Sequence, residues 1–240
     1  MSATIHRGDR DGVRVLALAR PPVNAIDFAL VRALGDAAEA AGSDAACRAL
    51  VVTGAPGVFS AGIDTKRIPT YDADERASML RAVNRTVLAL YALEKPAVAA
   101  ISGHALGAGL VLALCCDLRL AADGDFRLGL TEAGAGIPFP AGPLAVARAE
   151  LSPESLRRLA LSSAAEAPGS PWLAGIVDRV VPAEGLLARA LDEARALAAQ
   201  PAFAAVKRQL RGDTIARLRR IVERDEEPLL AGWLPGPKPA

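Results

Sequence analysis

Three stretches of the 240-residue chain carry groups that could work on a ligand. Gly107-Ala108-Gly109 opens an apolar pattern of helical period that runs to Cys116. A helix start leaves backbone N–H groups without partners, and glycine lets a ligand come close to them. Small residues there would equally serve the close packing of a buried helix, so the segment alone is compatible with both roles. It is not a dinucleotide-binding fingerprint, because Leu112 stands where the last glycine of Gly-x-Gly-x-x-Gly is required. The second stretch, Phe59 to Asp64, is a glycine-containing turn after a strand and can present a further N–H to the same ligand. It is not a nucleophile elbow, since Val58 rather than glycine precedes Ser60 by two positions. The third is Glu132, the only acid between Gly129 and Pro140. A loop glutamate is ordinarily solvated.

The remaining composition excludes several other chemistries. Lysine and arginine number 28 against 27 acids, so no broad field of one sign exists to draw nucleic acid or an anionic membrane. The three cysteines, Cys47, Cys115 and Cys116, sit in apolar runs and form no disulfide framework, which fits a reducing, cytoplasmic setting. With Asp117 as their only neighbouring donor, Cys115 and Cys116 do not make a metal site. His6 and His104 are the only histidines; a Ser/His/Asp triad would rest on His104, which reads instead as a turn residue. The apolar stretch 98–122 is interrupted by Ser102, His104, glycines and Asp117, short of the roughly 18 uninterrupted residues of a membrane span. The first residues show no secretory signal pattern. Trp172 and Trp233 read as packing residues.

The elements that must position these stretches alternate. Strands are expected at 12–20, 48–53, 97–102, 117–121 and 176–181. Pro21-Pro22 closes the first, and the turn Val23-Asn24-Ala25 leads into a helix at 28–41. Asp72 caps the next helix, which ends near 94–96. Residues 103–106 read as a turn, 107–116 as a buried helix, and 129–140 as a site loop too rich in glycine and proline for regular structure. Helices follow at 141–149 and 153–161, then an irregular stretch with Pro168, Gly169 and Pro171. From 184 onward the chain is helical, and a Pro-Gly-Pro-Lys-Pro tail at 235–239 is expected to be disordered. Strands alternating with helices give an α/β fold.

The order and spacing of Ser60-Ala61-Gly62-Ile63-Asp64, of Gly103-His104-Ala105-Leu106-Gly107-Ala108-Gly109 followed by Cys116-Asp117, and of Glu132 four residues before Gly136-Ile137-Pro138 resemble the enoyl-CoA hydratase/isomerase (crotonase) superfamily. The likeness runs from the Pro22-Val23-Asn24-Ala25 turn to the segment Gly175 to Pro182. It implies a spiral of repeated strand-strand-helix units at 1–183 and a C-terminal helical trimerisation region at 184–240, forming a homotrimer or a dimer of trimers. It also implies an acyl-CoA substrate, with coenzyme A as part of that substrate and no separate cofactor.

Residue by residue, the resemblance assigns the backbone N–H groups of Ile63 and Ala108 to an oxyanion hole and makes Glu132 the acid–base group. Hydratases of the family carry a first glutamate four residues after the position of Gly107, where this chain has Val111. One remaining carboxylate suits a 1,3-proton shift better than water addition, which points to the Δ3,Δ2-enoyl-CoA isomerase branch. Pro140 stands where the dienoyl-CoA isomerases need an acid. The resemblance places Ala61 at the adenine and Val23 and Ala25 along the outer edge of the ligand. It offers Lys207 or Arg208 to the phosphates, against a plain reading of Lys207, Arg208 and Arg211 as a solvated helix face. The chain departs from the family at Ser163, usually glycine, and at Pro168, Gly169 and Pro171. A hydratase or other lyase using Glu132 alone, and a catalytically silent CoA-binding protein, are the competing readings.

Overall fold

Continuous runs of small and β-branched apolar residues make the interior of this molecule, whose computed structural model describes residues 4–233. The expected proline-rich tail at 235–239 lies outside the described residues. In chain order the elements are β1 (Ile5–Arg10), β2 (Val13–Leu18), α1 (Phe28–Ser43), β3 (Ala49–Thr53), β4 (Gly57–Ser60), α2 (Ala73–Tyr91), β5 (Ala97–Ile101), β6 (Gly103–Leu106), α3 (Ala108–Leu114), β7 (Leu118–Ala122), β8 (Leu128–Gly129), α4 (Glu132–Ala135), α5 (Ala141–Glu150), α6 (Pro153–Leu156), β9 (Ala165–Glu166), β10 (Arg179–Val181), α7 (Leu186–Ala198) and α8 (Phe203–Glu223).

The larger sheet has the order β1-β2-β3-β5-β7-β10 and is parallel except for β1, which runs antiparallel to β2. Strands β3 and β5 are buried at every position, as expected for parallel strands covered on both faces. Each fully buried Val or Leu there stabilises the fold by roughly 1.5–3 kcal/mol relative to exposure. Helix α7 packs on this sheet, with Ala190 and Ala194 buried to let it approach, and α1 and α2 pack against each other. The edge strand β1 exposes Arg7, Asp9 and Arg10, which discourages pairing with another chain.

A second sheet, β4-β6-β8-β9, holds what sequence reading took for turns and loops. The expected turn at 103–106 is β6, the loop after Gly54 contains β4, and the glycine-rich loop at 129–140 begins on β8 and contains the single helical turn α4. These strands have two to four residues, too few for alternation to register. With both sheets in place the repeat becomes plain. Strand β3 in the large sheet leads to β4 in the small one and then to α2; β5 leads to β6 and α3; β7 leads to β8 and α4. The expected strand at 176–181 is shortened to β10, and the irregular stretch after 161 contains β9 and a 3-10 turn at Pro171–Leu173.

The capping expected at Asp72 is present as a reciprocal box. Its carboxylate accepts from the Glu75 N–H at 2.8 Å, and the Glu75 carboxylate accepts from the Asp72 N–H at 2.9 Å. Helix α8 lies against α2 and α5, with Leu218 and Ile221 buried. Among the described residues no helix is long and apolar enough to cross a membrane.

Candidate active site

Strands β4, β6 and β8 are neighbours and parallel, so their carboxyl ends lie along one edge of the small sheet. The three residues singled out for chemistry follow these ends directly: Ile63 after β4, Ala108 after β6 and Glu132 after β8. Two glycines bring them together. Gly62 has φ +83°, and a Cβ there would lie 2.6 Å from the Leu106 carbonyl oxygen and 3.4 Å from the Ala108 nitrogen. Gly107 has φ +52°, and its Cβ would lie 3.3 Å from Glu132 Oε1. Backbone therefore passes where a side chain would block either the Ala108 N–H or the carboxylate. Among the described residues neither the Ile63 nor the Ala108 N–H donates a hydrogen bond.

Glu132 is the first residue of α4 and points inward, 7% exposed, while Ala133 to Gly136 face solvent. Its Oε2 has no hydrogen-bond partner. Burial raises its pKa from 4.5 to about 7, opposed only by its own backbone N–H. Val111, 1% exposed within α3, supplies no second carboxylate.

The turn at 23–26 and the loop at 60–64 form one unit. The Ala61 N–H donates to Val23 O at 3.0 Å, the Ile26 N–H to Gly62 O at 2.7 Å, and the Asp64 N–H to Ile26 O at 3.0 Å. Val23, Ala25 and Ala61 are thus brought side by side, with Val23 42% exposed. Sequence reasoning missed the residues that lock this unit. Asn24, at φ +48°, accepts the Arg20 N–H on Oδ1 at 2.9 Å and donates from Nδ2 to Phe59 O at 3.0 Å. Ser60 Oγ donates to Asn24 O at 2.8 Å. Arg20 reaches Asp64 at 2.7 Å, Asp27 at 3.1 Å and Ala25 O at 2.8 Å. Asparagine in a turn is a legible signal, being tolerant of left-handed backbone; the Arg20–Asp64 pair, 44 positions apart, left none.

Lys207 and Arg211 correct the expectation of a solvated helix face. They are buried rather than solvated, and their charges are engaged by carboxylates. Lys207 Nζ lies 2.8 Å from Asp117 Oδ2, and Arg211 bridges Asp117 at 3.3 Å and Glu150 at 3.2 Å. Burial pulls the Lys207 pKa below its ordinary value against the pull of Asp117. Arg208 is exposed and pairs with Glu94 at 3.3 Å, beside Lys207 and at the far end of α3 from Glu132. His104 lies on strand β6 rather than in the expected turn; its side chain is exposed and accepts the Arg127 N–H on Nδ1 at 3.2 Å. Trp233 is buried as expected, but Trp172 is 40% exposed and stacks under the Arg158 guanidinium at 3.8 Å. Burial pushes the Cys116 thiol up to about 12. Among the described residues no three His, Cys, Asp or Glu side chains gather as a metal site needs.

A family model described as enoyl-CoA hydratase/isomerase matches residues 8–229. A protein of Mycobacterium tuberculosis described as a probable enoyl-CoA hydratase is 38% identical over 143 residues, 59% of this chain and 54% of its own. The aligned part thus spans about half the length of the curated relatives it matches. Solved structures match at greater extent. Human mitochondrial delta3-delta2-enoyl-CoA isomerase has a TM-score of 0.86 and 28% identity, covering 92% of this chain and 88% of that one. An enoyl-CoA hydratase/isomerase family protein of Pseudomonas syringae has a TM-score of 0.85 and 27% identity, covering 96% and 98%.

Proposed function

The chain belongs to the enoyl-CoA hydratase/isomerase family, and from that premise we propose that it is an acyl-CoA thioester enzyme that shifts a double bond from Δ3 to Δ2. The observation that carries this reading is the solitary carboxylate: Glu132 is buried with one oxygen unpartnered, and Val111 occupies the facing helix where a second acid would be needed to hold water. In the proposed reaction the Glu132 carboxylate removes a proton from C2, breaking the C–H bond. The electron pair moves through the dienolate and places negative charge on the thioester oxygen. The Ile63 and Ala108 N–H groups receive that charge, each such donor being worth on the order of 10²–10³ in rate. The protonated Glu132 then gives the proton back at C4, and the double bond settles between C2 and C3 with no net gain or loss of atoms. A base with a pKa of about 7 is suited to both halves, since it must accept and return the same proton near neutral pH.

The coenzyme would lie along Ala61, Val23 and Ala25, with the exposed Lys66 and Arg67 after Asp64 meeting its phosphates in place of the engaged Lys207. A homotrimer belongs to the same proposal; exposed Leu161 and Leu210 supply apolar surface for a partner, and sedimentation would measure the mass. Product analysis decides the reaction. Incubation of 3-enoyl-CoA in deuterated water should yield 2-enoyl-CoA carrying some deuterium at C4, where the proton is returned, and no 3-hydroxyacyl-CoA. The names of the curated relatives favour hydration as a second reading. Accumulation of 3-hydroxyacyl-CoA from 2-enoyl-CoA would establish it and overturn isomerisation.

A further inference from the structure

We propose that Ser163 is a positioning residue for Glu132: its hydroxyl caps, from a distant part of the chain, the single helical turn that carries the carboxylate. This rests on the reading of Glu132 as the base. Helix α4 has four residues, and its own N-cap, Thr131, makes no side-chain capping bond. The first N–H groups of any helix need partners from outside it. Here Ser163 Oγ accepts the Gly134 N–H at 2.7 Å, at the third position of the turn, where a local cap would normally reach. The approach is close: a Cβ at Gly134 would sit 3.1 Å from Ser163 Oγ and 3.2 Å from its Cβ.

A second tie lies just before Glu132. Gly129 of β8 pairs with Ala165 of β9, two residues after Ser163. Thr131, Glu132 and Ala133 are therefore bracketed by a strand pairing on one side and the Ser163 hydrogen bond on the other. Ser163 adopts φ +51°, a conformation that disfavours any residue with a Cβ and that glycine takes without strain. The hydroxyl is thus held in place against a conformational cost, which marks it as more than a filler in the irregular segment.

The test compares Ser163→Ala, Ser163→Gly and Ser163→Asn with Glu132→Gln as the control for the base. Loss of the hydroxyl should lower kcat for 3-enoyl-CoA about tenfold, since small displacements of a reacting group are costly, with KM changed less than about twofold. Ser163→Gly should keep or raise Tm while losing kcat, because it removes the strain together with the hydrogen bond. Ser163→Asn, which tolerates left-handed backbone and offers a side-chain oxygen, should recover most of the rate. Unchanged kcat in Ser163→Ala beside an inactive Glu132→Gln would overturn the proposal, as would parallel losses of kcat and Tm in all three variants. If Glu132→Gln proves fully active, the reading of the base falls. Amide hydrogen exchange across 132–136 then decides the cap, faster exchange in Ser163→Ala supporting it and unchanged exchange overturning it.

Discussion

The two ends of α3 treat buried charge in opposite ways. At its start, Gly107 faces Glu132, a carboxylate with an empty oxygen and an apolar setting. At its finish the chain passes through Cys115 and Cys116 to Asp117, where nearly every polar atom is engaged. Arg211 donates to the Cys115 and Cys116 carbonyls at 3.1 and 3.0 Å, and Asp117 receives Lys207, Arg211 and the Ala97 N–H. Glu150 is held in the same cluster by Arg211, Arg119 and the Tyr91 hydroxyl. Low exposure alone therefore does not set these carboxylates apart. Partnering does: Glu132 keeps an oxygen without a hydrogen-bond partner, while Asp117 and Glu150 are set among cations that would lose a counter-ion without them.

Four experiments would break or sharpen that contrast. Glu132→Gln should lower isomerisation by about 10²–10⁴-fold with the fold intact; near-full activity would remove Glu132 from the mechanism. Asp117→Ala should do the reverse, costing about 3–5 kcal/mol in denaturant unfolding with little change in kcat per folded molecule, because Lys207 and Arg211 lose a counter-ion inside the protein. A loss under about 1 kcal/mol would mean that the far end is not locked as described.

The pH dependence separates the ends further. The folded pKa of Glu132 is raised from 4.5 to about 7, so the native state binds more protons than the unfolded chain between those values. That contribution to stability is complete below pH 4.5 and is lost as the pH rises to about 7, amounting to roughly 3 kcal/mol. Glu132→Gln should abolish this component, and kcat/KM of the wild type should fall as the pH drops through about 7. The smallest effect is expected for Gly107→Ala, whose Cβ would press within 3.3 Å of Glu132 Oε1 at an unfavourable φ; about 1–3 kcal/mol of stability and a measurable part of kcat should go. Wild-type values of both would show that the close approach is dispensable.

The sequence disclosed the open end of α3 better than the closed one. Glu132, Ile63 and Ala108 stand in short local patterns in which glycine carries the information, and the structure brings the three to one sheet edge. The closed end depends on Lys207 and Arg211 meeting Asp117 across 90 and 94 positions, which no local pattern encodes; on α8 alone they look like ordinary surface cations. The same limit hid the small sheet. Strands such as Gly103–Leu106 and Leu128–Gly129 are too short to show a period, and they exist because a neighbouring strand completes them. Ser163 was legible only as an oddity. Its meaning needed Gly134 beside it.

The small sheet has one further consequence. Neighbouring strands in any sheet lie roughly 4.8 Å apart, so β4, β6 and β8 act as a ruler that spaces Ile63, Ala108 and Glu132 across about 10 Å without any side chain being needed to set the interval. The graduations are peptide hydrogen bonds and are indifferent to sequence. What must be conserved in length is each short turn after a strand: one extra residue there would advance its passenger by about 3.3 Å, more than a reacting geometry tolerates. Insertions elsewhere on the spiral, between α2 and β5 for example, would leave the ruler unread.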